Sequence, residues 1–214
     1  MKDILFDLDG TVTDSGEGIT NSVMYALKKM GFPIPPREEL YQFIGPPLAA
    51  IFSKYCGFSL EEGHKAVEIY REYYSVKGVF QNTVYDGVED ILKSLKEKGA
   101  RVFLATSKPE FFAKKILAHV GLDQYFDGIV GSEFDGTRVH KGQVINYIKE
   151  NYGVTHGIMV GDTKYDILGA KEQGLMSIAV LYGYGEREYI ELAVPDFIAR
   201  DTKELKEILL NETE

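Results

Sequence analysis

The chain has 214 residues, with 33 acidic against 24 basic side chains and a formal net charge of -9. That balance excludes attraction of nucleic acid or an anionic membrane through a bulk field, and no apolar run approaches the roughly 20 residues of a membrane span. One cysteine, Cys56, excludes an intrachain disulfide and fits a reducing, cytoplasmic setting.

A first strand is expected over residues 3–8, where Ile4, Leu5 and Phe6 form a short apolar run. It starts so near the N-terminus that no signal peptide is expected. The strand runs into Asp7-Leu8-Asp9-Gly10-Thr11, and Gly10 turns the chain. If the strand period holds through Asp9, Asp7 and Asp9 point the same way. Such a pair needs a cation between its members or a proton on one of them. Ile19, Val23, Ala26, Leu27 and Met30 then recur at helical spacing, and Gly31 stops the run. Pro33, Pro35 and Pro36 mark a loop before a short helix near residues 38–43. Pro47 can open a helix with Leu48, Ile51, Phe52 and Tyr55 on one face. Residues 60–74 form another, with Ala66, Val67, Ile69, Tyr70 and Tyr73 inward. Cys56 is expected to be a small buried residue. Tyr41, Tyr55, Tyr70, Tyr73 and Tyr74 are expected to pack this all-helical stretch. The corner Gly45-Pro46-Pro47 is expected to present Arg37, Tyr41 or Lys54 to a ligand.

From residue 84 the rhythm becomes helix and strand in alternation. Helices are expected over 87–98, 110–120, 141–151 and 166–173, and near the C-terminus over 203–210. Strands are expected over 101–106, 157–161, 177–181 and 197–199, with a short one around Ile129 and Val130 within 126–131. This predicts an α/β fold: a Rossmann-like, doubly wound parallel sheet with a small all-helical domain inserted after the first strand. The expected division is a core of residues 1–15 and 81–214 and a cap of residues 16–80.

In such sheets ligands bind beyond the C-terminal ends of the strands. Those ends carry Asp7 and Asp9, then Thr106 and Ser107 with Lys108 behind them, then Asp162, with Asp166 four residues on. Lys141 opens a helix between the strands that deliver Thr106 and Asp162. Mg²⁺ prefers oxygen ligands and touches carboxylates together with a substrate phosphate. Asp7, Asp9 and Asp162 can supply that site, while Thr106 and Lys141 can hold phosphoryl oxygens. Taken singly, each of these residues is an ordinary turn, cap or surface position. Their order along the chain is what carries meaning.

In that order the chain resembles the haloacid dehalogenase superfamily of phosphohydrolases. Asp7-Leu8-Asp9-Gly10-Thr11-Val12-Thr13 resembles its first motif, Leu104-Ala105-Thr106 its second, Lys141 its third, and Gly161-Asp162-Thr163-Lys164-Tyr165-Asp166 its fourth. The helical insert resembles the family's small cap. Phe43-Ile44-Gly45-Pro46-Pro47-Leu48 points to the phosphoglycolate phosphatase and 5′-nucleotidase-like branch. The resemblance implies Asp7 as nucleophile, and Asp9 as general acid and base. It implies Mg²⁺ on Asp7, the Asp9 carbonyl and Asp162, with Asp166 in support. Thr106, Ser107 and Lys141 would bind the phosphoryl group. Two departures stand out: Gly142 follows Lys141 where proline is usual, and Ser107 replaces a common asparagine.

The expected function is a Mg²⁺-dependent phosphatase of a small phosphomonoester, with no nucleic-acid or membrane partner, as monomer or homodimer. A sugar phosphomutase of the β-phosphoglucomutase type shares these motifs, and a slow-turnover phosphate-binding regulatory protein is the third reading. Gly183-Tyr184-Gly185 reads as a loop after the last core strand, either a plain turn or a border of the site.

Overall fold

A computed structural model describes residues 2–212. The chain runs through β1 (Asp3–Phe6), β2 (Thr13–Asp14), α1 (Gly16–Lys29), α2 (Leu48–Cys56), α3 (Leu60–Tyr74) and β3 (Thr83–Val84). There follow α4 (Val88–Glu97), β4 (Val102–Pro109), α5 (Glu110–Val120), β5 (Gly128–Ser132), α6 (Lys141–Tyr152) and β6 (Gly157–Gly161). The last elements are α7 (Lys164–Glu172), β7 (Met176–Val180), α8 (Arg187–Leu192), β8 (Phe197–Ala199) and α9 (Thr202–Glu212). The chain divides into two compact units, Met1–Asp14 with Val84–Glu214, and Ser15–Thr83.

The first unit is built on a parallel sheet of order β5-β4-β1-β6-β7-β8. Its strands are near-continuous apolar runs because helices cover both faces. Ile4, Leu5 and Phe6 are all buried. Leu5 packs with Phe103, Met159, Val144, Ile145 and Ile148. Each such side chain contributes about 1.5–3 kcal/mol by leaving water. The chain builds outward from β1 through β4 to β5, then returns to build the other way through β6, β7 and β8. The strand order therefore reverses beside β1, which puts the crevice at its C-terminal end.

The first strand is shorter than residues 3–8. It ends at Phe6, because the Leu8 carbonyl accepts the amides of Thr11, Val12 and Thr13 and draws the chain into a tight turn. Gly10 holds that turn at φ +82°, and a Cβ there would lie 2.2 Å from Asp162 Oδ2. Asp7 still continues the ladder, its amide donating to the Val160 carbonyl at 2.9 Å. Asp9 sits in the turn, so the two carboxylates do not share a strand period. The short α8 carries no signal that stands out from the polar sequence around it.

The second unit packs α1 and α2 against α3, with a 3-10 segment over Arg37–Phe43. Ser59 and Glu62 cap α3 reciprocally, at 2.8 and 3.2 Å. Phe43 meets Phe52 and Tyr55 edge-on, and Tyr70 and Tyr74 are buried while Tyr41 is exposed. Arg37 is bound within this unit, donating to Thr20 and to Asn21 Oδ1. Cys56, the last residue of α2, is only half-buried and forms no disulfide.

Candidate active site

The strand ends bring four predicted residues together. Asp7, Asp162 and Asp166 each present a carboxylate oxygen within 4.8 Å of the others, and all three are buried. Lys141 Nζ lies 2.9 Å from Asp7 Oδ1 and 2.7 Å from Asp166 Oδ1. It also donates to the Ala105 carbonyl at 2.8 Å, which ties the middle of β4 to the start of α6.

Local folding accounts for each placement. Asp162 follows β6 directly. Asp166 is the third residue of α7, and its Oδ2 accepts from the Thr163 amide at 3.0 Å and the Thr163 hydroxyl at 2.8 Å. Asp166 is thus engaged twice: one oxygen starts the helix and the other faces Lys141. At the start of α6, the Gln143 carboxamide accepts from the His140 amide at 3.2 Å. A Cβ on Gly142 would lie 2.2 Å from Glu172 Oε2, so this departure admits a close carboxylate.

Electrostatics follow from burial. It disfavours the Lys141 ammonium, but Asp166 and then Asp7 outweigh it and raise its pKa. Burial pushes Asp162 well above the ordinary carboxylate range, with Asp166 and Asp7 adding to the effect and the Tyr184 amide opposing it. Burial raises Asp166 too, against Lys141 and with Asp7. Three carboxylates against one ammonium leave a surplus of negative charge in a dry place. All the donors are hard oxygens. That set fits a hard divalent cation.

Asp9 stands apart from the carboxylate cluster. Its Oδ2 accepts from Lys108 Nζ at 2.6 Å, and its Oδ1 is buried with no hydrogen-bond partner. Thr106 is buried within β4, and its hydroxyl accepts the Lys108 amide at 3.2 Å. Ser107 is half-buried, and its carbonyl accepts from Ser132 Oγ at 2.8 Å.

Two features escaped the sequence reading. One is the Lys108–Asp9 pair. The other is the loop after β7, which is more than a plain turn: the Tyr184 amide donates to Asp162 Oδ2 at 2.8 Å, and the Tyr182 hydroxyl to the Thr11 carbonyl at 3.0 Å. The Tyr184 hydroxyl also meets Asp14. The only sequence signal for this loop was its place after a core strand. Its closeness to Asp162 follows from β7 lying beside β6.

Among the described residues no helix is long and apolar enough to cross a membrane. A family profile described as haloacid dehalogenase-like hydrolase matches residues 4–180. The chain is 41% identical over 208 residues to the 5′-nucleotidase of Pseudomonas aeruginosa, covering 96% of this chain and 94% of that protein. It is 29% identical to the phosphoglycolate phosphatase of Vibrio parahaemolyticus, covering 98% and 96%. It is also 36% identical to the tyrosine-protein kinase PtkA of Mycobacterium tuberculosis, over 88% of this chain but 65% of that longer protein. The crystal structure of a predicted phosphatase from Clostridium acetobutylicum superposes with a TM-score of 0.93 at 44% identity, covering 98% of both chains.

Proposed function

This chain belongs to the haloacid dehalogenase-like hydrolase family and is one of its phosphatases; from that premise we propose that it hydrolyses a small soluble phosphomonoester, with Mg²⁺ as cofactor. The observation that carries the reading is the buried group of Asp7, Asp162 and Asp166 around Lys141. Three carboxylates that close are costly unless a cation completes the site.

The reaction has two steps. An Asp7 carboxylate oxygen attacks phosphorus while the ester P–O bond breaks, and Asp9 gives its proton to the departing oxygen. Asp9 then takes a proton from water, whose oxygen attacks phosphorus. The Asp7–phosphorus bond breaks and orthophosphate leaves. Lys141, Thr106 and Ser107 hold the phosphoryl oxygens, so positioning and charge supply most of the rate. Asp7, the Asp9 carbonyl and Asp162 would hold Mg²⁺, with Asp166 in support. When bound, the ion neutralises charge on the carboxylates and the phosphoryl group. Residues 1–15 and 81–214 are assigned as the catalytic core, and residues 16–80 as the cap domain.

Nucleoside 5′-monophosphates and phosphoglycolate are the first substrates to test, on the strength of what the relatives are named for. Purified protein should release phosphate from one of them with Mg²⁺ and not after chelation. A sugar phosphate isomerised without release would make the protein a mutase instead. Binding of beryllofluoride without turnover on a broad panel would leave a regulatory protein.

A pH prediction follows from Asp162. Its pKa is raised by folding above the ordinary 3.8, so the folded state holds a proton that the unfolded chain has lost. Stability of the metal-free protein should therefore fall as pH rises through that window. Asp162→Asn removes the penalty. In chelator near pH 8 it should be more stable than the parent. Near pH 4 the gap should shrink. Denaturant titrations at the two pH values check this, and a gap independent of pH would overturn it.

A further inference from the structure

We propose that Lys108 is a positioning residue for Asp9, fixing which of its two oxygens meets the leaving group and the attacking water. This rests on the acid and base reading of Asp9 given above. Lys108 Nζ lies 2.6 Å from Asp9 Oδ2, and the lysine side chain is only 6% exposed. Asp9 Oδ1 is buried and has no hydrogen-bond partner. A carboxyl group with one oxygen held by a buried ammonium has one oxygen left for proton transfer. A buried polar atom without a partner is costly, about 1–3 kcal/mol, and such atoms persist where a ligand completes them.

The fold builds this placement deliberately. The register of β4 on β5 shifts between Ala105 and Pro109, which sends Lys108 off the regular strand pattern. The Lys108 amide donates to Thr106 Oγ1 at 3.2 Å, and Ser132 Oγ donates to the Ser107 carbonyl at 2.8 Å, so both sides of the bulge are tied. A Cβ on Gly131 would lie 2.4 Å from the Lys108 carbonyl oxygen, so β5 makes room for the bulge. Lys108 is thus aimed from the same strand end that carries Thr106. Its ammonium meets Asp9 Oδ2.

The test compares kcat/KM across phosphomonoesters whose leaving groups run from p-nitrophenol to simple alcohols, with Mg²⁺ present. A nitrophenolate leaves without a proton, whereas an alkoxide needs one. Asp9→Asn should lose far more activity on alkyl esters than on p-nitrophenyl phosphate. Lys108→Met should show the same slope, losing roughly tenfold to a hundredfold more on alkyl esters. The double variant Asp9→Asn, Lys108→Met should lose no more than Asp9→Asn alone, because the two act as one unit. This double variant also decides if Lys108→Met fails to fold, since it removes both buried charges together.

A uniform loss across leaving groups in Lys108→Met, or a further tenfold loss in the double variant, would overturn the positioning role. If Asp9→Asn itself shows no dependence on the leaving group, the acid and base reading fails first. The two failures are therefore distinct.

Discussion

Asp7→Asn will yield a folded protein whose phosphate release falls by at least about 10⁴-fold in kcat, the scale on which removal of a nucleophile is felt. An amide oxygen is a poor nucleophile toward phosphorus, and no neighbouring group can replace it. Asp162 and Asp166 are fully buried, and Asp166 is engaged at both oxygens by Thr163 and Lys141. The fold should not suffer. Asp7→Asn removes one of three crowded carboxylates and keeps the shape of the side chain, so metal-free thermal stability should equal or exceed that of the parent. Phosphate release and a melting curve on one preparation check both halves. Activity within tenfold of the parent would remove Asp7 from the nucleophile's role. A collapsed melting curve would make its role structural.

Lys141→Met carries the largest expected cost in stability. The ammonium is buried and sits between Asp7 and Asp166 while holding the Ala105 carbonyl. Without it, two buried carboxylates lose their counter-charge and a carbonyl loses its donor. Removing one partner of a buried ion pair costs about 3–5 kcal/mol, or roughly 10 °C in Tm for a chain of this length. Phosphate release should also fall by at least about a hundredfold, because Lys141 is proposed to hold the phosphoryl group. Raising Mg²⁺ should recover part of the lost stability, since a cation can stand in for the missing charge. A Tm unchanged in chelator would mean that the carboxylates are relieved elsewhere. Calorimetry with and without metal separates the outcomes.

Much of this site was legible because its parts are local. Asp162 follows an apolar run whose strand nature is plain, Lys141 starts a helix, and Asp166 lies in the first turn of another. The first strand was misjudged at its end. Hydrophobic pattern marks where a strand can be buried, but the turn at Leu8 is decided by three amides converging on one carbonyl. Asp7 and Asp9 consequently take different cations, Lys141 and Lys108. A two-residue spacing could not announce that.

By itself, the sequence determined the fold class, the order of strand ends and the identity of the carboxylates, since each depends on apolar period and chain order. Only the tertiary structure decided which side chains meet. The Tyr184 amide reaches Asp162 because β7 lies beside β6. Lys108 reaches Asp9 because β4 lies beside β1 and bulges at its end. Both contacts join residues far apart in the chain, and their register is set by packing across the sheet, which no local pattern encodes.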